Sequence, residues 1–377
     1  MRIPYHNKAD GFMAALLLTL NQVKFCELHR CQPRVEWGPF PACKYTGVRF
    51  PGRTPFFDAE HGGNAFLYYF RPICHGFPRA QEVAPALTCE QREQVHRVLP
   101  WALRTYYYGA AQRAANDTYD GAWYGAQRVE GARLARTYLR LQPRVAARLE
   151  SLSSGLLGRV GPMRSGSGDG VDDSGRGSDN GGTPRRGPIL GVHLRGTDKG
   201  KYLQTAGSGR PIGPDEYEPY VLAFLRHHGP NASVFVATDS PSYLAHVQAH
   251  WPAGRVVVRE GVLRHEDNIA FAGGGRKRIS GAHGGGSGGG NHRKGEEVLL
   301  DSLLLSRCDF LLHAASGVAE FAIYWGPHLH AASVHLQYVR ERQVPAWMHP
   351  SSGSGHLHAG KASKRRGRKR LARRRPK

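Results

Sequence analysis

The second half of this chain alternates short apolar runs with amphipathic segments, and this alternation limits the possible folds more than any other feature. The runs ILGVHL, SVFVAT, RVVVRE and FLLHA each have the length of a strand, and helical patterns separate them. Parallel strands require crossover connections, usually helices, which cover both faces of the sheet. The sequence therefore predicts an α/β fold with a parallel sheet.

Polar and charged side chains follow three of these strands at the point where each strand ends. The three segments are HLRGTDK, ATDSPS and HAASGVAE. Open α/β sheets bind their ligands beyond the carboxyl ends of the strands. We therefore expect a ligand site at this edge of the sheet.

The first of these strands ends in His193 and Arg195, which lie one pleat apart and so point to the same face. An arginine fork can bind a phosphate bidentately. The histidine can hydrogen-bond a ribose or a phosphate. In the alternative interpretation, Arg195 pairs with Asp198 or Asp239 and only closes the sheet edge.

Three further positions allow either ligand binding or a local structural role. Asp239 could accept hydrogen bonds from ligand hydroxyls, but a cap for the helix that starts at Pro241 is the better local interpretation. Ser316 and Gly317 open the last helix, where amides could hold a diphosphate, and Ser316 could equally be an ordinary N-cap. Asp301 lies among leucines and needs a partner, either a ligand donor such as a guanine edge or a nearby arginine.

Composition divides the chain into parts. The sequence predicts an N-terminal domain over residues 1–150, and residues 151–187 have the composition of a linker or insert. Residues 188–349 predict a second domain with a glycine-rich loop insert at 272–295. Residues 350–377 predict a disordered basic tail.

Within the first domain the sequence predicts a helix over 12–29, a strand over 34–37 and a long helical stretch over 123–150. The arginine-rich face of that stretch is expected to be solvated. The apolar run AALLLTL is interpreted as part of the first core helix rather than as a signal peptide. No signal or anchor is therefore expected in the chain.

The formal net charge of +22 is concentrated in the tail. KASKRRGRKRLARRRPK carries eleven basic residues and no acidic one, so half of the net charge lies in its 17 residues. Such a block binds polyanions with little selectivity. We expect non-specific polyanion contact by the tail and no specific nucleic-acid partner.

The spacing of histidines and cysteines does not favour a metal site. The sequence has no CxxC pair and no HExxH. Five of the six cysteines lie in the first 90 residues, which permits disulfides in an oxidising compartment without requiring them.

Three segments together resemble the motifs of the fucosyltransferase superfamily, which includes alpha-1,6-fucosyltransferases, nodulation fucosyltransferases and protein O-fucosyltransferases. The segments are VHLRGTDK, VFVATDSPS and VLLDSLLLSRCDFLLHAASGVAEFAIYW, in that order. HNKADGF, RVEWG and NAFLYYFRP resemble the first domain more loosely. The resemblance implies a GT-B-like fold with two Rossmann-like domains and a nucleotide-sugar cleft between them. It also implies metal-independent, inverting transfer of fucose from GDP-fucose to a glycan or protein hydroxyl, in the Golgi or ER lumen.

The resemblance also assigns roles to individual residues. Arg195 matches the arginine that contacts the donor diphosphate, and His193 matches a nucleotide-binding histidine. Asp301 matches an aspartate that reads guanine, and Ser316 lies in the phosphate-binding segment. Gly11 and Phe12 match a first-domain loop that faces the nucleotide.

Lys199 is a second candidate catalytic residue, because its charge could add to the field on the leaving group, or it could only pair with Asp198. Two departures concern catalysis. Gly196 stands where the alpha-1,6 enzymes have a second arginine, and Leu203 stands where they have a glutamate base. Asp215 and Glu216 are the remaining candidates for the base.

Two other functions fit the same sequence. One is a catalytically silent GDP-sugar- or glycan-binding protein on this fold, and the other is a polyanion-binding protein acting through its tail. Binding of GDP separates the first from the second, and turnover separates an enzyme from both.

Overall fold

The computed structural model describes residues 2–4, 11–38, 44–45, 48–49, 56–73, 122–158, 187–196, 212–262, 264, 290–314, 316–336 and 344–348. The N-terminal half contains β1 (Arg2–Pro4), α1 (Phe12–Leu28), β2 (Arg34–Glu36), β3 (Lys44–Tyr45), β4 (Val48–Arg49), α2 (Phe66–Tyr69), α3 (Ala122–Tyr138) and α4 (Pro143–Leu152). The C-terminal half contains β5 (Ile189–Leu194), α5 (Pro214–His228), β6 (Ser233–Thr238), α6 (Pro241–His250), β7 (Val256–Val258), α7 (Gly290–Leu305), β8 (Phe310–His313), α8 (Gly317–Trp325) and β9 (Ser333–His335). Three short 3-10 helices cover Ala59–His61, Pro327–His330 and Ala346–Met348.

The C-terminal half forms a five-stranded, entirely parallel sheet with the order β7-β6-β5-β8-β9. The chain order therefore reverses at β5, the central strand, as in doubly wound sheets. All six residues of β5 and all six of β6 are buried, which explains why their sequences are continuous apolar runs. The predicted parallel α/β fold is confirmed, and β9 is a strand that the sequence interpretation missed.

The N-terminal half contributes a parallel pair, β1 with β2, and an antiparallel pair, β3 with β4. Helix α1 begins and β2 lies where the sequence predicts them. The larger arrangement, with a second Rossmann-like domain and a cleft between two domains, stays a prediction.

Two apolar clusters fill the space on the two faces of the five-stranded sheet. One face packs Leu190 and Val192 of β5 against α5 and α6. The other face packs Ile189 against a larger cluster that includes α1, α3, α7 and α8. Helices from both halves of the sequence therefore share one core.

The predicted long helix over 123–150 is wrong in one respect, because the structure divides it. Helix α3 ends at Tyr138 and α4 begins at Pro143. Proline has no backbone N–H and disfavours helical geometry in the residue before it. Gln142 accordingly has extended backbone angles.

Two predicted irregular segments begin or end in helix. Ser153–Leu157 continues α4 as a π-helical turn, with Leu157 buried, inside the segment predicted as a linker. Helix α7 begins at Gly290, inside the glycine-rich segment 272–295. No described helix is long and apolar enough to cross a bilayer.

Candidate functional site

The carboxyl ends of the five parallel strands form one edge, and the register of the sheet fixes which residues meet there. His193 of β5 pairs with Ala237 of β6 and with His313 of β8. Neighbouring strands lie about 4.8 Å apart, so segments that follow these residues begin close together. The predicted convergence of the strand-end segments is therefore present in the sheet.

His193 and Arg195 leave the central strand at this edge. The His193 side chain is buried, and the carbonyl of His193 accepts a hydrogen bond from the Tyr217 hydroxyl at 3.1 Å. Arg195 lies just past the strand and is half-buried. The end of β5 holds the backbone of Arg195 in place, while its side chain keeps access to solvent.

Gly196 comes next and closely approaches the loop after β6. Its N–H donates to Asp239 Oδ1 at 3.0 Å. A Cβ added at Gly196 would lie 2.7 Å from Ser240 Cβ, and 3.2 Å from a ring carbon of Tyr243. This close approach explains why the position holds glycine, because a second arginine side chain would not fit without displacing the loop.

The residue that caps α6 is Ser240, so the cap interpretation of Asp239 is wrong. Ser240 Oγ accepts from the Tyr243 N–H at 3.2 Å. Asp239 is placed one residue too early for this bond and binds Gly196 instead. Asp239 thus ties the ends of β5 and β6 together, and its role towards a ligand stays a prediction.

Asp301 has the arginine partner that the sequence left open as one of two possibilities. Arg259, the residue directly after β7, donates from Nη1 to Asp301 Oδ1 at 2.7 Å and to the Glu297 carbonyl at 3.0 Å. Burial raises the pKa of Asp301 to about 6, although the positive charges of Arg259 and Arg264 act against the shift. Asp301 keeps partial exposure at this edge of the sheet.

Ser316 and Gly317 lie at the N-terminus of α8, as predicted. Ser316 Oγ accepts from the Val318 N–H at 3.2 Å, so the ordinary cap interpretation is correct for the side chain. The cap leaves open whether the amides of the first turn also bind an anion. That role stays a prediction.

The first turn of α8 carries a carboxylate that would oppose an anion, and a buried arginine neutralises it. Arg128 of α3 donates from Nε and Nη2 to the two carboxylate oxygens of Glu320, at 3.1 and 3.3 Å. The two side chains are 3% and 1% exposed. The expectation that the arginine-rich face of this helix is solvated is therefore wrong for Arg128. Glycine at 131 allows this close packing, because a Cβ there would contact the Tyr324 ring.

Three histidines form a row across the carboxyl edge, and sequence reasoning identified only the first. His193, His313 and His335 occupy paired positions in β5, β8 and β9, and therefore share one face. The rings of His313 and His335 lie 4.8 Å apart. Burial and the charge of Arg128 lower the pKa of His313 to about 4, so it is neutral at physiological pH. The repeated ending of apolar runs in histidine, in VHL, LLHA and SVHL, was the signal that could have revealed the row.

The two first-domain candidates lie at the start of α1. Phe12 is the first residue of α1, and its ring is buried in edge-on contacts with Trp37, Phe56 and Tyr69. Phe12 therefore begins α1 rather than lying in the loop, and a role of this residue towards the nucleotide stays a prediction. Gly11 is the N-cap, and its carbonyl accepts from Ala14 and Ala15. A nucleotide contact by the backbone of Gly11 stays a prediction.

The remaining candidates fall into two groups. Asp198, Lys199 and Leu203 lie outside the described residues. Asp215 and Glu216 open α5, where Glu216 Oε1 accepts from the Gly213 N–H at 3.1 Å. Glu216 is therefore engaged in a cap, whereas Asp215 is exposed. Among described residues no group of three or more His, Cys, Asp or Glu side chains could hold a metal ion.

The fold and this edge define an α/β protein with a Rossmann-type parallel sheet. No family model matches the chain, and no curated protein matches it. Among solved structures, the chain is similar to NodZ alpha-1,6-fucosyltransferase soaked with GDP-fucose, with a TM-score of 0.41 and 15% identity, covering 86% of this chain and 92% of that chain. The similarity to the same enzyme co-crystallised with GDP has a TM-score of 0.40 and 14% identity, and it covers 86% of this chain and 91% of that chain. The similarity to the fucosyltransferase NodZ from Bradyrhizobium has a TM-score of 0.40 and 15% identity, and it covers 85% of this chain and 91% of that chain.

Proposed function

We propose that this protein is an inverting glycosyltransferase that transfers fucose from GDP-fucose to a glycan or protein hydroxyl without a metal ion. The observation that carries the proposal is the position of Arg195, directly after the central strand and beside the strand that leads to the N-terminus of α8. That edge combines the Arg195 guanidinium, the N-terminus of α8 and the Asp301 carboxylate. A nucleoside diphosphate sugar presents the matching groups.

The proposed chemistry requires stabilisation of negative charge on the departing GDP. Arg195 and the amides after Ser316 would bind this charge more strongly in the transition state than in the ground state. Lys199 would add positive charge to the same field. Because Arg128 pairs with Glu320, the first turn of α8 keeps its favourable potential for an anion.

Guanine recognition is proposed near the carboxyl end of β7, where Arg259 binds Asp301. A carboxylate accepts hydrogen bonds from the two adjacent N–H groups of the guanine edge. Asp301 supplies that group, and the bond from Arg259 fixes its orientation. Adenine and uracil lack this pair of donors.

Hydrolysis of nucleotide sugars tests this proposal without knowledge of the acceptor. We expect the purified protein to release GDP from GDP-fucose, and to leave ADP-glucose and UDP-glucose intact. A chelator should not change the rate. Nucleotide release from a uridine donor alone, or loss of activity on chelation, would contradict the proposal.

A catalytically silent GDP-sugar-binding protein is the second candidate. Two observations favour it, the exclusion of a second arginine at Gly196 and the engagement of Glu216 in a helix cap. Such a protein would bind GDP-fucose in calorimetry but give no GDP release and no transfer to a panel of glycan and peptide acceptors.

The affinity for GDP-fucose is expected to depend on pH through Asp301. Its pKa of about 6 means that the carboxylate is ionised at pH 7.5 and largely protonated at pH 5. Protonation removes an acceptor, so binding should weaken as the pH falls through 6. Both phosphates of GDP-fucose are esterified and carry no second ionisation in this range. Calorimetry from pH 5 to 7.5 should show this loss in the wild type and not in Asp301→Asn.

The basic tail is proposed to mediate salt-sensitive contact with polyanions and to be dispensable for donor binding. A protein that ends at Pro350 should keep its thermal midpoint and GDP affinity, and should elute from heparin at lower salt than the full chain. Unfolding or loss of GDP binding on truncation would show that the tail belongs to the fold.

The proposed location is the secretory pathway, in the Golgi or ER lumen. Detection of the protein in fractionated cells, with marker enzymes for each compartment, tests this location. Recovery in the cytosolic fraction alone would contradict it.

A further inference from the structure

The last turn of α1 brings two cysteines together through its capping geometry. Arg30 has a positive φ of 52°, the left-handed conformation that ends many helices. The Cys31 N–H then donates back to the Cys26 carbonyl at 2.9 Å. This bond, from the residue after the left-handed position to the fifth residue before it, is the mark of a Schellman motif.

In a Schellman motif the side chains at the two ends of that bond frequently contact each other. Here those positions hold two thiols, and the Cys31 thiol is close enough to that of Cys26 to help raise the pKa of Cys26. Both thiols are free in the structure. Their contact follows from the backbone of the cap and does not depend on a chance meeting of distant segments.

The two thiols differ in access to solvent. Cys26 is fully buried, whereas Cys31 is partly exposed. Burial and the neighbouring thiol raise the pKa of Cys26. An external reagent therefore reaches Cys31 first, and Cys26 is placed to react only with its neighbour.

We propose that Cys26 and Cys31 form a redox-active pair that closes to a disulfide and locks the C-terminal cap of α1. The oxidant is a low-molecular-weight or protein disulfide. The Cys31 thiolate attacks one sulfur of that disulfide, and the other sulfur leaves as a thiolate. The Cys26 thiolate then attacks Cys31 Sγ and displaces the second carrier thiolate. Two protein thiols lose two protons and two electrons, and the carrier disulfide becomes two thiols.

Formation of the disulfide would restrain the chain between the end of α1 and β2. The segment after Cys31 leads into β2 and to Trp37, whose ring packs against Phe12 at the start of α1. A covalent bond at Cys31 therefore connects the end of α1 to the strand that returns along it. The closed loop is short, so we expect only a modest gain in stability.

Peptide mapping tests the proposal directly, because trypsin separates the two cysteines. Cleavage after Lys24, Arg30 and Arg34 gives FCELHR and CQPR. The full-length protein is equilibrated with oxidised and reduced glutathione, unfolded, alkylated at free thiols and digested without reduction. We expect FCELHR linked to CQPR, lighter than the two free peptides together by the mass of two hydrogens.

Two variants make the result specific. Cys31→Ser should leave Cys26 alkylated, with a thermal midpoint about 2–4 °C below that of the oxidised wild type. Cys308→Ser is the matched control, because Cys308 is also buried and free but lies next to Leu304 and Gly191. It should give the same linked peptides as the wild type. Recovery of FCELHR and CQPR as separate alkylated peptides from the oxidised wild type, or of either peptide linked to another cysteine, would overturn the proposal.

Discussion

Arg195→Ala is expected to reduce kcat/KM for GDP-fucose by on the order of 100-fold or more, which corresponds to about 3 kcal/mol of transition-state stabilisation. Arg195 lies after the last residue of β5 and is half-buried, so its removal does not interrupt the apolar part of the strand. The thermal midpoint should therefore change little. In the proposed reaction the loss should appear mainly in kcat, because charge on the leaving GDP develops fully only as the glycosidic bond breaks.

Two further variants distinguish this role from a general effect of charge. Arg195→Lys keeps the charge but loses the planar fork, and should recover only part of the rate. Arg226→Ala removes an exposed arginine from the last turn of α5, at the end of the helix away from Asp215 and Glu216. This variant should leave the rate unchanged. Near-normal turnover by Arg195→Ala would show that the diphosphate is held elsewhere.

Arg128→Met is expected to destabilise the fold by about 3–5 kcal/mol, because it removes the bidentate arginine from the buried Glu320 carboxylate. Both side chains are almost completely buried, so solvent cannot replace the lost interaction. Chemical denaturation should show a lower midpoint with an unchanged slope. The double variant Arg128→Met, Glu320→Leu should regain part of the loss, since it removes both charges.

A matched control lies five residues further along the same helix. Arg133 pairs with Glu27 and Glu130, but its side chain is 41% exposed. Exposed pairs contribute about 0–1 kcal/mol, so Arg133→Met should cost much less than Arg128→Met. Equal losses from the two variants would contradict a special role for the buried pair.

The parallel sheet could be predicted from sequence because its information is local. Each residue of β5 and β6 is buried, so each strand is visible as an apolar run with a polar end. The break before Pro143 was missed, although proline restricts the preceding residue and so indicates it. Strand β9 was missed because SVH is only three residues long and mixes polar with apolar side chains.

The candidate site was harder to predict because its contacts join residues that are far apart in the sequence. Arg128 and Glu320 are 192 positions apart, and an arginine on an amphipathic helix is normally solvated. Asp239 and Ser240 are both good N-caps, and only the backbone geometry decides between them. The partner of Asp301 follows β7, whose position beside β6 depends on the order of strands in the sheet.

The shared core constrains how a ligand could enter. Enzymes with two separately packed bodies often close around a ligand by rotation about a hinge, which exposes little apolar surface. In this protein α1 and α3 pack in the same cluster as α7 and α8, and the Arg128–Glu320 pair crosses that contact. Rotation of one half against the other would have to open a continuous interior and uncover a buried ion pair. We therefore expect ligand entry and release to proceed through local rearrangement at the strand ends, with the two halves moving as one body.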